Sequence, residues 1–319
     1  MKVKYFALVL VLLVTACKTV TKKNVKTTDV KSKKGIDSNV SSGELYRIAG
    51  FPSKFITPRN VDIWVPENYS KDKKYAVLYV HDGQMLFDDT KTWNKQEWGF
   101  DETISKLIAE NKIKNTIVVG IWNIAKLRYT DYYPQKPFDL LTQKSRDSLL
   151  AGFKKQVKYT YKERFNSDEY LKFIVTELKP YIDKNYATKS DASNTAIMGS
   201  SMGGLISMYA ICEYPEVFGA AAGLSTHWIG TYSNKNNPIP ATFLAYMDAN
   251  LPSSKNHILY FDYGTETLDA RYLPYQDKFT ALLKKHGYTT NLKFEGGEHS
   301  EKSWRKRLEI PLKVLLKKE

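Results

Sequence analysis

Ser201 sits in Gly199-Ser200-Ser201-Met202-Gly203, a G-x-S-x-G pattern with a further glycine, Gly204, behind it. The apolar residues 195–198 before it read as a short buried strand, and residues 205–210 after it as a helix. Strand, tight corner and helix in that order hold a serine in strained backbone geometry with its hydroxyl exposed. A hydroxyl is a poor nucleophile without a base in hydrogen-bond reach. Of the five histidines, His81 comes too early, His257 begins a strand, and His286 ends a helix, where an imidazole suits the dipole. His299 follows a strand and Gly296-Gly297 and precedes a helix. The base comes last in the chain order of such a corner serine, so His299 is the expected base. The acid that orients it belongs after the strand 257–261, where Asp262, Glu266 and Asp269 stand. Asp262 lies in the strand end. Asp269, nearest the next helix, is preferred, Glu266 is the alternative, and spacing does not choose between them. Two backbone N–H groups should receive a developing oxyanion: Met202, at the positive end of its helix, and Gln84, just past Asp82-Gly83.

The elements that must carry these residues alternate. Residues 45–48 and 61–65 read as half-buried strands, and residues 75–80 and 117–121 as strands buried on both faces. Residues 218–224, 257–261 and 290–294 are further strands, with helices expected over 96–110, 170–182, 272–285 and 300–316. This pattern predicts an α/β fold with a mostly parallel sheet covered on both sides, over residues 43–319. Each cluster of unusual residues then falls at a strand's carboxyl end, where catalytic loops of such sheets lie. Trp122, Asn123, Arg128, Tyr132, His227 and Trp228 are the expected substrate contacts. Residues 123–166 do not fit a tight connection and are read as a loop or small cap over the site.

The chain has 319 residues, 42% hydrophobic, ample for one large core. Residues 1–16 carry Lys2 and Lys4, then a short apolar stretch, then Val14-Thr15-Ala16 before Cys17. This is a signal peptide ending like a bacterial lipobox, which implies lipidation of Cys17 and attachment to a membrane of the cell envelope, the outer one where there are two. Residues 17–42 contain no aromatic side chain and read as a disordered tether. The net charge of +14 is scattered over tether and helix surfaces, with no nucleic-acid motif, so nucleic acid is not expected as a partner. No metal-ligand spacing and no dinucleotide or phosphate-loop fingerprint appears, so neither metal nor cofactor is expected.

Residues 80–87 (Val-His-Asp-Gly-Gln-Met-Leu-Phe), Arg128 with Asp131-Tyr132-Tyr133-Pro134, Tyr181-Ile182-Asp183, Gly199 to Gly204, and Gly297-Glu298-His299 with Trp304 resemble the esterase family that groups feruloyl and acetyl-xylan esterases, S-formylglutathione hydrolase, enterochelin esterases and mycolyltransferases. The resemblance spans roughly residues 45–317. It implies an α/β-hydrolase fold and cofactor-free ester cleavage, with Ser201, a loop acid and His299 as the triad and Gln84 and Met202 as oxyanion donors. Family members carry a plain aspartate soon after the glycine matching Gly264; here Glu266, Thr267 and then Asp269 follow. The leading expectation is a serine ester hydrolase acting on feruloyl or acetyl esters of polysaccharide. The alternatives are a siderophore esterase, a serine acyltransferase and, least favoured, a non-catalytic carbohydrate-binding lipoprotein.

Overall fold

Apolar side chains on neighbouring positions of a strand point to opposite faces, so a continuous apolar run needs a core on both sides. The computed structural model, which describes residues 31–34, 39–156, 165–231 and 233–318, has that arrangement. Its strands are β1 (Lys33–Lys34), β2 (Glu44–Phe51), β3 (Arg59–Val65), β4 (Ala76–His81), β5 (Thr116–Ile121), β6 (Thr195–Ser200), β7 (Ala220–Leu224), β8 (Ile258–Gly264) and β9 (Asn291–Phe294). They form one sheet in the order β1-β2-β3-β5-β4-β6-β7-β8-β9. From β5 to β9 all neighbours are parallel, and β1 to β3 extend the sheet antiparallel. Val77, Tyr79, Ile117, Val119 and Ile197 enter one core; Leu78, Val80, Val118, Ala196 and Met198 enter the other.

Helix α1 (Phe100–Ala109) covers the second face through Ile104 and Leu107. Next come α2 (Arg128–Tyr132), α3 (Gln135–Asp139) and α4 (Gln143–Gln156), so the described part of residues 123–166 is largely helical. The first face is covered by α5 (Ser167–Phe173), which passes through a π-helical turn into α6 (Lys179–Asn185), and by α7 (Met202–Glu213), α8 (Ile239–Asn250) and α9 (Leu273–Lys285). Then α10 (Glu301–Arg307) and α11 (Glu309–Leu315) return to the second face.

Three boundaries differ from the sequence expectation. The helix expected from Gln96 starts at Phe100, because Trp98 N–H and Phe100 N–H donate to Met85 O and Leu86 O, and Gly99 turns the chain with φ 64°. The last helix breaks at Leu308. Pro311 has no N–H, and its ring would clash with the carbonyl four residues back, at Arg307. Helix α8 is not among the helices expected from the sequence; its Pro238 and Pro240 stand at the helix start, where no N–H is needed. The tether expected over residues 17–42 is not free throughout. Lys33 and Lys34 pair with Arg47 and Tyr46, and Ser41 donates from N and Oγ to Asp101 Oδ2. Residues 1–30, with Cys17 and the expected signal peptide, lie outside the described residues. Among the described residues no helix is long and apolar enough to cross a membrane.

Candidate active site

The corner between β6 and α7 holds Ser201 at φ 55° and ψ −119°, a conformation that costs a non-glycine residue on the order of 1–3 kcal/mol. Two glycines make the corner possible. A Cβ on Gly199 would lie 2.8 Å from the Gly203 carbonyl carbon, and one on Gly203 would lie 3.3 Å from His81 Cβ. The Ser201 N–H donates to Leu224 O at the end of β7, and Ser201 O accepts from His227 N–H, so β6 and β7 close round the serine. Met202 begins α7, whose unpaired N–H groups and dipole favour negative charge at this point.

The loop after β8 sorts three carboxylates. Asp269, with no exposed surface, lies with Oδ1 2.6 Å from His299 Nδ1. Its Oδ2 accepts from Gly264 N–H at 2.6 Å and from the Ser225 hydroxyl at 2.5 Å. Glu266 is exposed and joins the turn through its backbone: its N–H donates to Gly297 O and its O accepts from Asp269 N–H. Asp262 is buried under Arg307, and burial raises its pKa against the opposing pull of that guanidinium. Of the two acids that spacing leaves open, Asp269 is therefore the one that meets the imidazole. The His299 loop is pinned too. His299 N–H donates to Thr267 Oγ1, and a Cβ on Gly264 would lie 2.0 Å from Gly297 O. An Nδ1–H given to Asp269 leaves Nε2 of a neutral imidazole as an acceptor. The ring stands edge-on to Trp304 and Tyr272, with centroids 5.1 and 5.9 Å away.

The loop after β4 approaches from the other side. Asp82 adopts φ 58° and receives both Arg128 Nε–H (2.8 Å) and Nη2–H (2.7 Å), together with Asn123 Nδ2–H (2.7 Å). Burial alone would raise the Asp82 pKa; the charge and hydrogen bonds of Arg128 and the Asn123 amide outweigh it and hold the carboxyl below its ordinary range. Asn123 N–H also donates to Gln84 Oε1 at 3.1 Å. Gly203 at the start of α7 packs on His81 and Asp82, so the loop that carries Gln84 leaves β4 beside the first turn of that helix.

The remaining expected contacts divide. The Arg128 guanidinium and the Asn123 side-chain amide both bond Asp82. Trp122 donates Nε1–H to Asp62 and carries the Arg47 guanidinium 4.4 Å above its ring. Tyr132 has no exposed surface, and its hydroxyl accepts from Asp82 N–H. Trp228 is buried and stacks on Phe279 at 4.0 Å, so both rings serve packing. His227 is buried at the corner with Nδ1 2.7 Å from the Tyr272 hydroxyl; burial, then the nearby His299, push its pKa down to about 3. His81, 2.9 Å from the Tyr170 hydroxyl, is likewise pushed down to about 3 by burial.

A strained serine at a helix start and an imidazole bonded to a buried aspartate thus both lie on loops at the carboxyl edge of a parallel sheet. The family model described as "Putative esterase" matches residues 53–313. The chain belongs to that family. One relative is the endo-1,4-beta-xylanase/feruloyl esterase of Xylanibacter ruminicola, 24% identical over 300 residues, covering 88% of this chain and 32% of that one. The chain spans about half the length, or less, of the curated relatives it matches. Among solved structures, a CE1 ferulic acid esterase from Anaeromyces mucronatus superposes with a TM-score of 0.61 at 16% identity, covering 89% of this chain and 97% of that one. The enterochelin esterase of Shigella flexneri gives 0.55 at 16% identity, covering 90% and 58%. These likenesses agree with the α/β-hydrolase fold.

Three residues near the site escape the sequence reading. Ser225 is visible there only as part of a strand-end cluster, Arg307 only as one of several basic residues in a helix, and Trp93 not at all. Trp93 is 83% exposed on the loop after β4. Its neighbour Asn94 donates Nδ2–H to Glu301, and Gln96 Oε1 accepts from Lys302 N–H, so this loop leans on the first turn of α10, next to His299. A cavity of about 460 Å³ opens between α4 and residues 231–238, lined by Lys144, Leu149 and Asn237 among others; Ser201, Asp269 and His299 do not line it.

Proposed function

We propose that this chain is a serine carboxylic-ester hydrolase working through an acyl-enzyme. The observation that carries the reading is the 2.6 Å contact of His299 Nδ1 with a fully buried Asp269, on the same sheet edge as the strained Ser201. In this reading His299 Nε2 takes the Ser201 proton as Oγ attacks the ester carbonyl. Asp269 stabilises the imidazolium. The Met202 and Gln84 N–H groups receive the oxyanion, and the alcohol leaves with the proton from His299. Water then repeats the sequence and frees the acid. His227, held neutral beside the serine, contacts the substrate without competing for the proton.

The substrate class we infer is a feruloyl or acetyl ester carried on a polysaccharide. The name of one relative supports it, and so does Trp93, an exposed indole on a loop bonded to the first turn of the helix that follows His299. The siderophore-ester reading is supported only by likeness of fold. Anchoring through Cys17 to a membrane of the cell envelope belongs to the same proposal, on the strength of the sequence Val14-Thr15-Ala16-Cys17. The test is turnover of p-nitrophenyl acetate with a Ser201→Ala control, followed by a panel of feruloyl, acetyl-xylan, formyl-thioester and catecholate-siderophore esters. Turnover abolished by Ser201→Ala supports the hydrolase. Labelling of Ser201 by a fluorophosphonate without turnover of any ester points to an acyltransferase, and absence of both sinks the enzymatic reading.

A further inference from the structure

Ser225 sits at the end of β7 with φ 47°, in the left-handed region that a serine rarely adopts and glycine adopts freely. The position nevertheless carries a side chain, completely buried, whose hydroxyl has three partners. Trp304 Nε1–H donates to Oγ at 2.9 Å and Arg307 Nη2–H donates at 2.8 Å, while Oγ lies 2.5 Å from Asp269 Oδ2. An indole N–H and a guanidinium can only donate. Both acceptor positions of the hydroxyl are therefore taken, and its single hydrogen is directed to Asp269. Arg307 is itself fixed: its Nη2–H and Nε–H reach the two oxygens of buried Asp262 at 3.0 and 3.1 Å. Asp262 also takes the Tyr260 hydroxyl and the Ser225 N–H. An unbroken run of bonds leads from Asp262 through Arg307 and Ser225 to Asp269 and on to His299.

We propose that Ser225 is a positioning residue for the catalytic acid. Its hydroxyl, polarised by the Arg307 charge and locked in one direction by Trp304, holds Oδ2 of Asp269 so that Oδ1 faces the His299 Nδ1–H. The strained backbone at Ser225 is kept because only a side chain rooted at this point reaches Trp304, Arg307 and Asp269 together. Trp304 thus has two tasks, since its ring also lies against the imidazole. This inference rests on the serine-hydrolase reading.

The test compares Ser225→Gly and Ser225→Ala with the full-length wild type on p-nitrophenyl acetate. Both substitutions remove the hydroxyl, but glycine also relieves the backbone, so the two differ in thermal stability. A positioning role predicts that both lower kcat by a similar 10- to 100-fold with KM within about twofold, whatever their melting temperatures. It also predicts a matching fall in the rate of fluorophosphonate labelling of Ser201. The far-downfield proton resonance of the His299–Asp269 bond should shift or broaden in Ser225→Gly. A merely structural role predicts instead that activity follows melting temperature. Ser225→Gly with kcat within twofold of wild type and an unchanged downfield resonance would overturn the proposal, and that variant decides the matter should Ser225→Ala not fold. A wild type that neither turns over the ester nor labels at Ser201 fails the hydrolase reading itself, which is a separate result.

Discussion

At the scale of single residues, the proposed chemistry depends on one imidazole and on which carboxylate meets it. His299→Ala should lower kcat on p-nitrophenyl acetate by about 10⁴-fold or more, because members of a triad act as a unit. Asp269→Asn should cost about as much, on the order of 10³–10⁴-fold, by presenting a donor to Nδ1 and favouring the wrong tautomer. Glu266→Gln should stay within about twofold, since its side chain is exposed and away from the Asp269 Oδ1–His299 contact. Steady-state kinetics of the three variants checks all of this; a Glu266 variant as impaired as Asp269→Asn would reverse the assignment of the acid. Trp93 makes a different prediction. Trp93→Ala should leave p-nitrophenyl acetate turnover unchanged and lower kcat/KM on feruloylated arabinoxylan by about 2- to 12-fold, the loss of roughly 0.5–1.5 kcal/mol of stacking. Equal rates on the polymer would remove the main structural support for a polysaccharide substrate.

The elements show what strained geometry requires of its surroundings. β6 and α7 can meet at Ser201 only because nothing larger than hydrogen projects from Gly199 and Gly203. The first turn of α1 holds a different tension. Glu97, Asp101 and Glu102 crowd there; Arg305 pairs with Glu97 and Glu102, and Asp101 receives Ser41 from the segment leading into β2. Burial, then Glu102, raise the Glu97 pKa to about 7 against the pull of Arg305, and burial with Glu102 raises Asp101 to about 6. A carboxyl whose folded pKa is raised adds stability below its unfolded pKa and loses it as pH rises through the folded value. For Glu97 that window runs from its ordinary 4.5 to about 7. Glu97→Gln should therefore melt closer to, or above, wild type at pH 8 and lose that relative gain at pH 5. Thermal scans of both proteins at the two pH values measure it, and a difference independent of pH would mean that Glu97 is ionised throughout.

For the whole molecule, the sheet collects the carboxyl ends of β4, β6, β7 and β8 on one edge, and every candidate site residue follows one of those strands or their neighbours. The described chain begins at that assembly's antiparallel border, where Lys33 and Lys34 pair with β2. A lipid at Cys17, as proposed, would leave residues 18–32 as the link to a membrane. Cys17→Ser should move the protein from the membrane to the soluble fraction without changing its esterase rate. Fractionation with metabolic fatty-acid labelling checks it; equal membrane retention of both forms would rule out the lipid as anchor.

The sequence alone determined the α/β class, the parallel strands, the serine corner and the histidine, because each leaves a local signature: two-sided apolar runs, G-x-S-x-G, and a Gly-rich turn between strand and helix. It preferred Asp269 but left Glu266 open as the alternative, since the two lie three positions apart on one loop. That choice was made by the fold, which turns Asp269 inward onto Gly264 N–H and Ser225 while Glu266 stays outside. Nor could it separate packing aromatics from open ones. Tyr132 and Trp228 read as substrate contacts and are buried, whereas Trp93 stands in solvent. The Asp262–Arg307–Ser225 chain was equally invisible, since its members lie 37 and 45 residues from Asp262 and meet only once β7, β8 and α10 are packed. Periodicity records which face of an element is apolar, but which polar group a side chain meets depends on elements distant in sequence, and only tertiary packing brings those together.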